Sequence, residues 1–225
     1  MPATPLPASG EAPEAKTCDA SGMAEIHRMF KRGFGEGPEL VRGVRAGDTA
    51  HAEAVASQLE LMSVGLHAHH EGEDARLWST LEARAPSCAL HVERMKEQHQ
   101  AMLVQLRALD AALPSWRASA GDPADVLAAL DGINAALEVH LPDEETNIVP
   151  VIETTYTQKE LEWFSEHGRK ATPKGRMWDQ LGAIIDAQPD GDDWVRKNLP
   201  GPVRLMWRAV GRKRYERTRA ELVAR

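Results

Sequence analysis

Cysteine is scarce in this chain. Cys18 and Cys88 are the only two among 225 residues, and they form no CxxC pair. A disulfide framework is thereby excluded, and a reducing compartment is the expectation. Long apolar runs are also missing; nothing approaches the roughly 18 residues that mark a membrane helix. The N-terminus lacks a basic stretch followed by an apolar one, and carries Pro2, Pro5, Pro7 and Pro13 among acids and small residues. No secretory signal is expected from such a segment. A flexible arm over 1–19 and a cytoplasmic location are. Runs of β-branched residues are lacking too, which argues against strands. Positive charge is outnumbered, with 27 Lys and Arg against 34 Asp and Glu, a net of −7. That balance argues against nucleic acid as a partner.

What is present is a length sufficient for one core with an extension, and 42% apolar residues to fill it. Charge divides the chain. Residues 1–154 hold 12 basic and 24 acidic side chains, whereas 155–225 hold 15 and 10. This predicts an acidic domain over 20–154 and a basic extension over 155–225.

Breakers punctuate the acidic part at Gly47-Asp48, Ala85-Pro86-Ser87, Gly121-Asp122-Pro123 and Pro150. The segments between them are rich in Ala, Leu, Glu, Met and Arg, which favour helix. Leu59, Met62, Leu66 and His69 follow helical spacing, as do Met102, Leu106 and Leu109. Gly33 to Pro38 predicts a kink or break in the first helix, and Pro142 a disturbance in the fourth. Four long helices with short connections make an all-α, antiparallel up-down four-helix bundle. In the extension, Thr157 can cap a helix over 158–168. Further helices are expected over 173–187, 192–198 and 202–223.

The histidines fall into a repeat. His69 is followed by acids four and five residues later (Glu73, Asp74), and so is His140 (Glu144, Glu145). Each is followed by aliphatic residues at eight and twelve (Leu77 and Leu81; Ile148 and Ile152) and by Glu at thirteen (Glu82, Glu153). Upstream, Met23-Ala24-Glu25-Ile26-His27 matches Met95-Lys96-Glu97-Gln98-His99. His27 lies 42 residues before His69, and His99 lies 41 before His140. A duplicated helix pair accounts for both coincidences.

Antiparallel geometry then brings the four histidines to one height. His27 and His69 are nearly equidistant from Gly47-Asp48, His99 and His140 from Gly121, and His69 and His99 from Pro86. A carboxylate four residues on lies about 40° around the helix, on the same face; one five residues on lies about 140° away. Glu73 and Glu144 are therefore preferred to Asp74 and Glu145 as inner groups. A lone core histidine is usually satisfied by a hydrogen bond. Four imidazoles and two carboxylates at one level of a core carry a large desolvation cost unless a cation is present. The set contains no thiolate, so structural zinc is disfavoured, and carboxylates able to bridge favour two metals. Iron is the first choice; manganese and zinc stand below it.

The order His27, His69-x-x-x-Glu73, His99, His140-x-x-x-Glu144 resembles the hemerythrin-like, HHE cation-binding proteins, over about residues 20–153. The resemblance implies an antiparallel four-helix bundle with a non-haem di-iron centre. It implies that His27 and His69 bind one iron and His99 and His140 the other. Glu73 and Glu144 would bridge them, with an oxo or hydroxo group completing the bridge. Oxygen-carrying hemerythrins have a fifth histidine one turn from the third-helix ligand; Met95 and Leu103 stand at those positions here. The centre is one protein ligand short by this reading, which favours chemistry with dioxygen, peroxide or nitric oxide over reversible oxygen carriage. The resemblance also allows the opposite: sensing or storage of iron or oxygen without turnover.

His70, Asp74, Glu145 and His67 are lesser candidates, as outer hydrogen-bond partners or alternative ligands. His51, His91 and His167 fall outside the pattern. In the extension, Val203, Leu205, Met206, Trp207 and Val210 alternate with arginines. The expectation is that this side packs on the acidic bundle; contact with an acidic lipid surface is the lesser alternative.

Overall fold

A computed structural model describes residues 15–223. Positions 1–14 of the expected arm lie outside the described residues. In the remainder Thr17 N–H donates to the Glu153 carbonyl at 2.7 Å and Cys18 is buried, while the other residues of 15–19 are exposed. Among the described residues every regular element is helical, and no helix is long and apolar enough to cross a membrane.

Four long helices carry the acidic part: α1 (Gly22–Gly43), α2 (Thr49–Gly72), α4 (Ala89–Ser119) and α5 (Ala124–Asn147). α2 passes through one π turn, Glu73–Leu77, into the short α3 (Trp78–Arg84). After a break at Ile148, α5 is likewise followed by the short α6 (Val149–Thr155). α1 packs on α2 and α5, and α4 on α2 and α5, so the four close into a ring. Gly47, at φ 82°, makes the first turn, and the Asp48 carboxylate caps α2 by accepting from the His51 N–H. The Asp122 side chain accepts from the Ala124 N–H at the start of α5.

The expected break in α1 is absent. α1 runs unbroken through Gly33–Pro38. Its glycines serve close packing instead: a Cβ on Gly33 would stand 2.5 Å from Met62 Sδ, and one on Gly37 3.1 Å from Leu59 and Leu130. Pro38 cannot donate to the Phe34 carbonyl. Asn134 Nδ2 on α5 donates to that carbonyl at 3.1 Å, so the missing helical bond is replaced from a neighbour. α5 also continues through Pro142, and its break comes at Ile148.

The core is layered. One apolar cluster includes Phe30, Phe34, Leu59, Leu66, Met102, Leu106, Ile133 and Leu137. A second includes Cys18, Leu77, Trp78, Leu81, Met95, Ile148 and Tyr156. Along α4, His99 falls between Met95 of the second and Met102 of the first, and His69 falls between Leu66 of the first and Leu77 of the second; on α5, His140 stands at the end of the first cluster, beside Leu137 and Leu141, with Ile148 of the second beyond.

The extension holds α7 (Gln158–Ala171), α8 (Met177–Asp186), α9 (Gly191–Asn198), α10 (Gly201–Met206) and α11 (Arg212–Leu222), the last two joined by a π turn at Trp207–Gly211. Thr157 and Glu160 form a reciprocal capping box on α7. α7 packs on α2, α8 on α1, and α11 on α2 and α8. Ion pairs between extension and bundle run in both senses, Arg219 with Glu36 one way and Arg32 with Asp186 and Arg84 with Glu160 the other, and His51 Nε2 meets the Leu222 carbonyl at 2.9 Å; Leu205, Met206 and Val210, expected to pack on the bundle, are exposed.

Candidate metal centre

Between the two apolar layers lies a layer of buried polar side chains. His27, His69 and Glu144 form one group and His70, Glu73, His99 and His140 another; within each, donor atoms lie within 4.8 Å of one another. All except His69 are among the buried residues. Glu73 and Glu144 face both groups. Glu73 Oε1 is 3.4 Å from His69 Nε2, while its Oε2 is 3.5 Å from His99 Nε2. Glu144 Oε2 is 3.3 Å from His27 Nε2 and 3.5 Å from His140 Nε2. Two donors that share an ion at about 2.1 Å and at right angles stand about 3.0 Å apart. The observed spacings are close to that.

The outer nitrogens are occupied. Glu145 Oε1 lies 2.8 Å from His27 Nδ1, Asp74 Oδ1 lies 2.8 Å from His99 Nδ1, and Gln98 Oε1 lies 3.0 Å from His140 Nδ1. An oxygen at Nδ1 selects the tautomer with its proton there, leaving the Nε2 lone pair aimed inward. The inner atoms are short of partners. Both oxygens of Glu73, both of Glu144, and Nε2 of His70, His99 and His140 are buried without a hydrogen bond among the described residues. So many orphaned acceptors in one core layer are rare in folded proteins, and a bound cation would satisfy them together.

The charges point the same way. Burial, then the Glu144 carboxylate, hold the Glu73 carboxyl well above its ordinary range. Burial opposes ionisation of Glu144, but His27 overrides it and holds that carboxyl down. Burial works against the His27 cation, yet Glu144 and Glu145 raise its pKa to about 9. Burial with the neighbouring His27 pushes His69 down to about 3, and burial depresses His140 to about 4 despite Glu144. The layer thus keeps a proton on Glu73 and on His27 while His69 and His140 stay neutral, and an entering cation would take the place of those protons.

The hemerythrin HHE cation binding domain pattern matches residues 20–152. The chain belongs to this family. No curated protein and no solved structure matches it with significance. As an HHE domain it binds a cation, and its His/Glu layer is able to hold one.

Within this HHE domain the six residues singled out from the repeat all reach the layer. His70 joins them, stacked on His99 at a ring separation of 4.0 Å. The signal for it was its spacing of three from Glu73, which places both on one helix face. Asp74 and Glu145 hold histidines from outside. His67 lies apart from the layer and pairs with Asp110 at 2.9 Å. His91 contacts Arg94, and His167 stacks on Trp163.

Proposed function

We propose that this HHE domain holds two iron ions in the polar layer of an antiparallel up-down bundle made by α1, α2, α4 and α5. One ion takes His27 and His69; the other takes His99 and His140, with His70 supplying the donor absent from positions 95 and 103. Glu73 and Glu144 bridge. The observation that carries this reading is the pair of buried carboxylates, each facing histidines of both groups with no hydrogen bond of its own among the described residues. Bound iron supplies Lewis acidity and one-electron redox chemistry at this point. The protein's part is to orient imidazoles through Glu145, Asp74 and Gln98, and to exclude bulk water with the apolar layers.

The reaction proposed is with dioxygen, peroxide or nitric oxide, as part of an oxidative or nitrosative stress response. A cavity of about 230 Å³ adjoins the layer, lined by His67, His70, Asp74, His99, Gln100 and Arg107. It is smaller than the about 300–1,000 Å³ of drug-sized sites, and suits small molecules. Metal analysis and an optical spectrum of aerobically purified protein test the reading. Two irons per chain with oxo-to-ferric charge-transfer bands support it, and fast loss of added peroxide or nitric oxide supports turnover. One zinc without visible bands would remove it.

Sensing or storage without turnover is the second reading. Its support is that the extension touches the helix bearing the site. Gly72, just before the π turn, faces His167, Phe164 and Trp163, and the Arg76 guanidinium lies 4.0 Å over the Trp163 ring. Ligand-dependent protease sensitivity of α7–α11, without substrate loss, favours this reading.

A further inference from the structure

The hydrogen-bond chain behind His99 is longer than the one behind His27. Asp74 Oδ1 accepts from His99 Nδ1 at 2.8 Å and also from the Trp78 indole N–H at 2.7 Å. The Trp78 side chain is fixed by burial, being 1% exposed within the second apolar layer, and its ring lies 5.3 Å from that of His99. Asp74 is different, with 43% of its side chain exposed. A carboxylate so open exchanges an imidazole for water easily, unless a second donor holds it. The indole is such a donor. Among the described residues its N–H makes no other hydrogen bond, so departure of Asp74 would leave it without a protein acceptor. The nearby cation Lys96 does not compete, because it is engaged with Glu82 at 2.6 Å.

The internal repeat supplies a built-in comparison. It aligns Asp74 with Glu145 and Trp78 with Val149. Valine has no donor to offer, and among the described residues Glu145 accepts from His27 alone. One half of the duplicated centre is therefore pinned from the core, and the other is not.

We infer that Trp78 is a positioning residue of the metal centre: its indole N–H pins Asp74, and through Asp74 the imidazole of His99. The His70, Glu73, His99 and His140 group then releases its cation more slowly than the His27, His69 and Glu144 group. This rests on the two-metal reading above.

The test is iron release from the loaded protein to a ferrous chelator under anaerobic, reducing conditions. Two phases are expected. Trp78→Phe keeps the ring in the core but removes the donor, and should speed the slow phase about tenfold while leaving the fast phase unchanged. Asp74→Ala should act on the same phase, and the double variant should release no faster than Asp74→Ala alone, because both act through one contact. Multiplying effects would assign Trp78 to packing and overturn the inference, as would an unaltered slow phase in Trp78→Phe or a single phase in the unaltered protein. If Trp78→Phe does not fold, Asp74→Ala decides, and acceleration of both phases counts against the inference. Protein purified without iron overturns the two-metal reading itself, which is a separate outcome.

Discussion

Glu145 and His27 stand in opposite halves of the internal repeat, yet they meet at 2.8 Å, carboxylate to Nδ1. Asp74 and His99 repeat the exchange in the other direction, at the same distance. Each half thus supplies the carboxylate that orients the other half's histidine, so neither half can shape its site alone. Glu145→Ala is expected to weaken metal retention about 10- to 100-fold, as loss of such an outer partner commonly does. Chelator competition measures it. Unchanged retention would show that burial alone orients His27.

Glu73 has the opposite balance in the empty and loaded protein. It is fully enclosed beside Glu144, with neither oxygen hydrogen-bonded among the described residues. Glu73→Met should raise the stability of the metal-free protein by about 1–3 kcal/mol, the cost of an unsatisfied buried polar group, while abolishing stoichiometric iron. Thermal melts with and without metal read both effects. His51→Ala, which loses only a contact to the Leu222 carbonyl, should keep its iron.

Metal uptake should release protons. The pKa of His27 stands near 9 in the metal-free protein because Glu144 and Glu145 outweigh burial, so this imidazole is charged at neutral pH. A cation must displace that proton, and apparent affinity should rise up to about tenfold per pH unit for each proton lost, flattening above about pH 9. Titration calorimetry in buffers of different ionisation enthalpy counts the protons. In the metal-free fold the sign reverses. A raised pKa means that the stability from this group is fully present below its ordinary value of 6.5 and is lost as pH climbs through about 9.

The unbroken first helix makes a packing prediction. Gly35 is exposed and a Cβ there meets nothing within 4 Å, so Gly35→Ala should stabilise by about 0.5–1 kcal/mol. Gly33→Ala should destabilise, since Met62 must move. Asn134→Leu should cost about 1–3 kcal/mol by leaving the Phe34 carbonyl unpaired. Urea unfolding of the three variants gives the ordering.

Local rules and the repeat carried much of this architecture. Capping at Thr157, the turn at Gly47, and helical composition follow from short-range preferences that act wherever the residues occur, whereas α4 ends on a left-handed Ala120 (φ 45°) and not on Gly121. The matched spacings of His27, His69, His99 and His140 follow from arithmetic, because helices of equal arm return equal residues to equal height. They mark the HHE family in the sequence alone. Other features depend on neighbours distant in the chain. Gly33–Pro38 reads as a break until Met62, Leu59 and Asn134 supply the packing and the hydrogen bond that keep α1 whole. The roles of His70, Asp74 and Glu145 turn on a few tens of degrees of rotation near a π turn, and one wide turn shifts that rotation. Trp78 has no motif at all. Its importance rests on the distance between an indole nitrogen and one carboxylate oxygen, which only the packed core brings together.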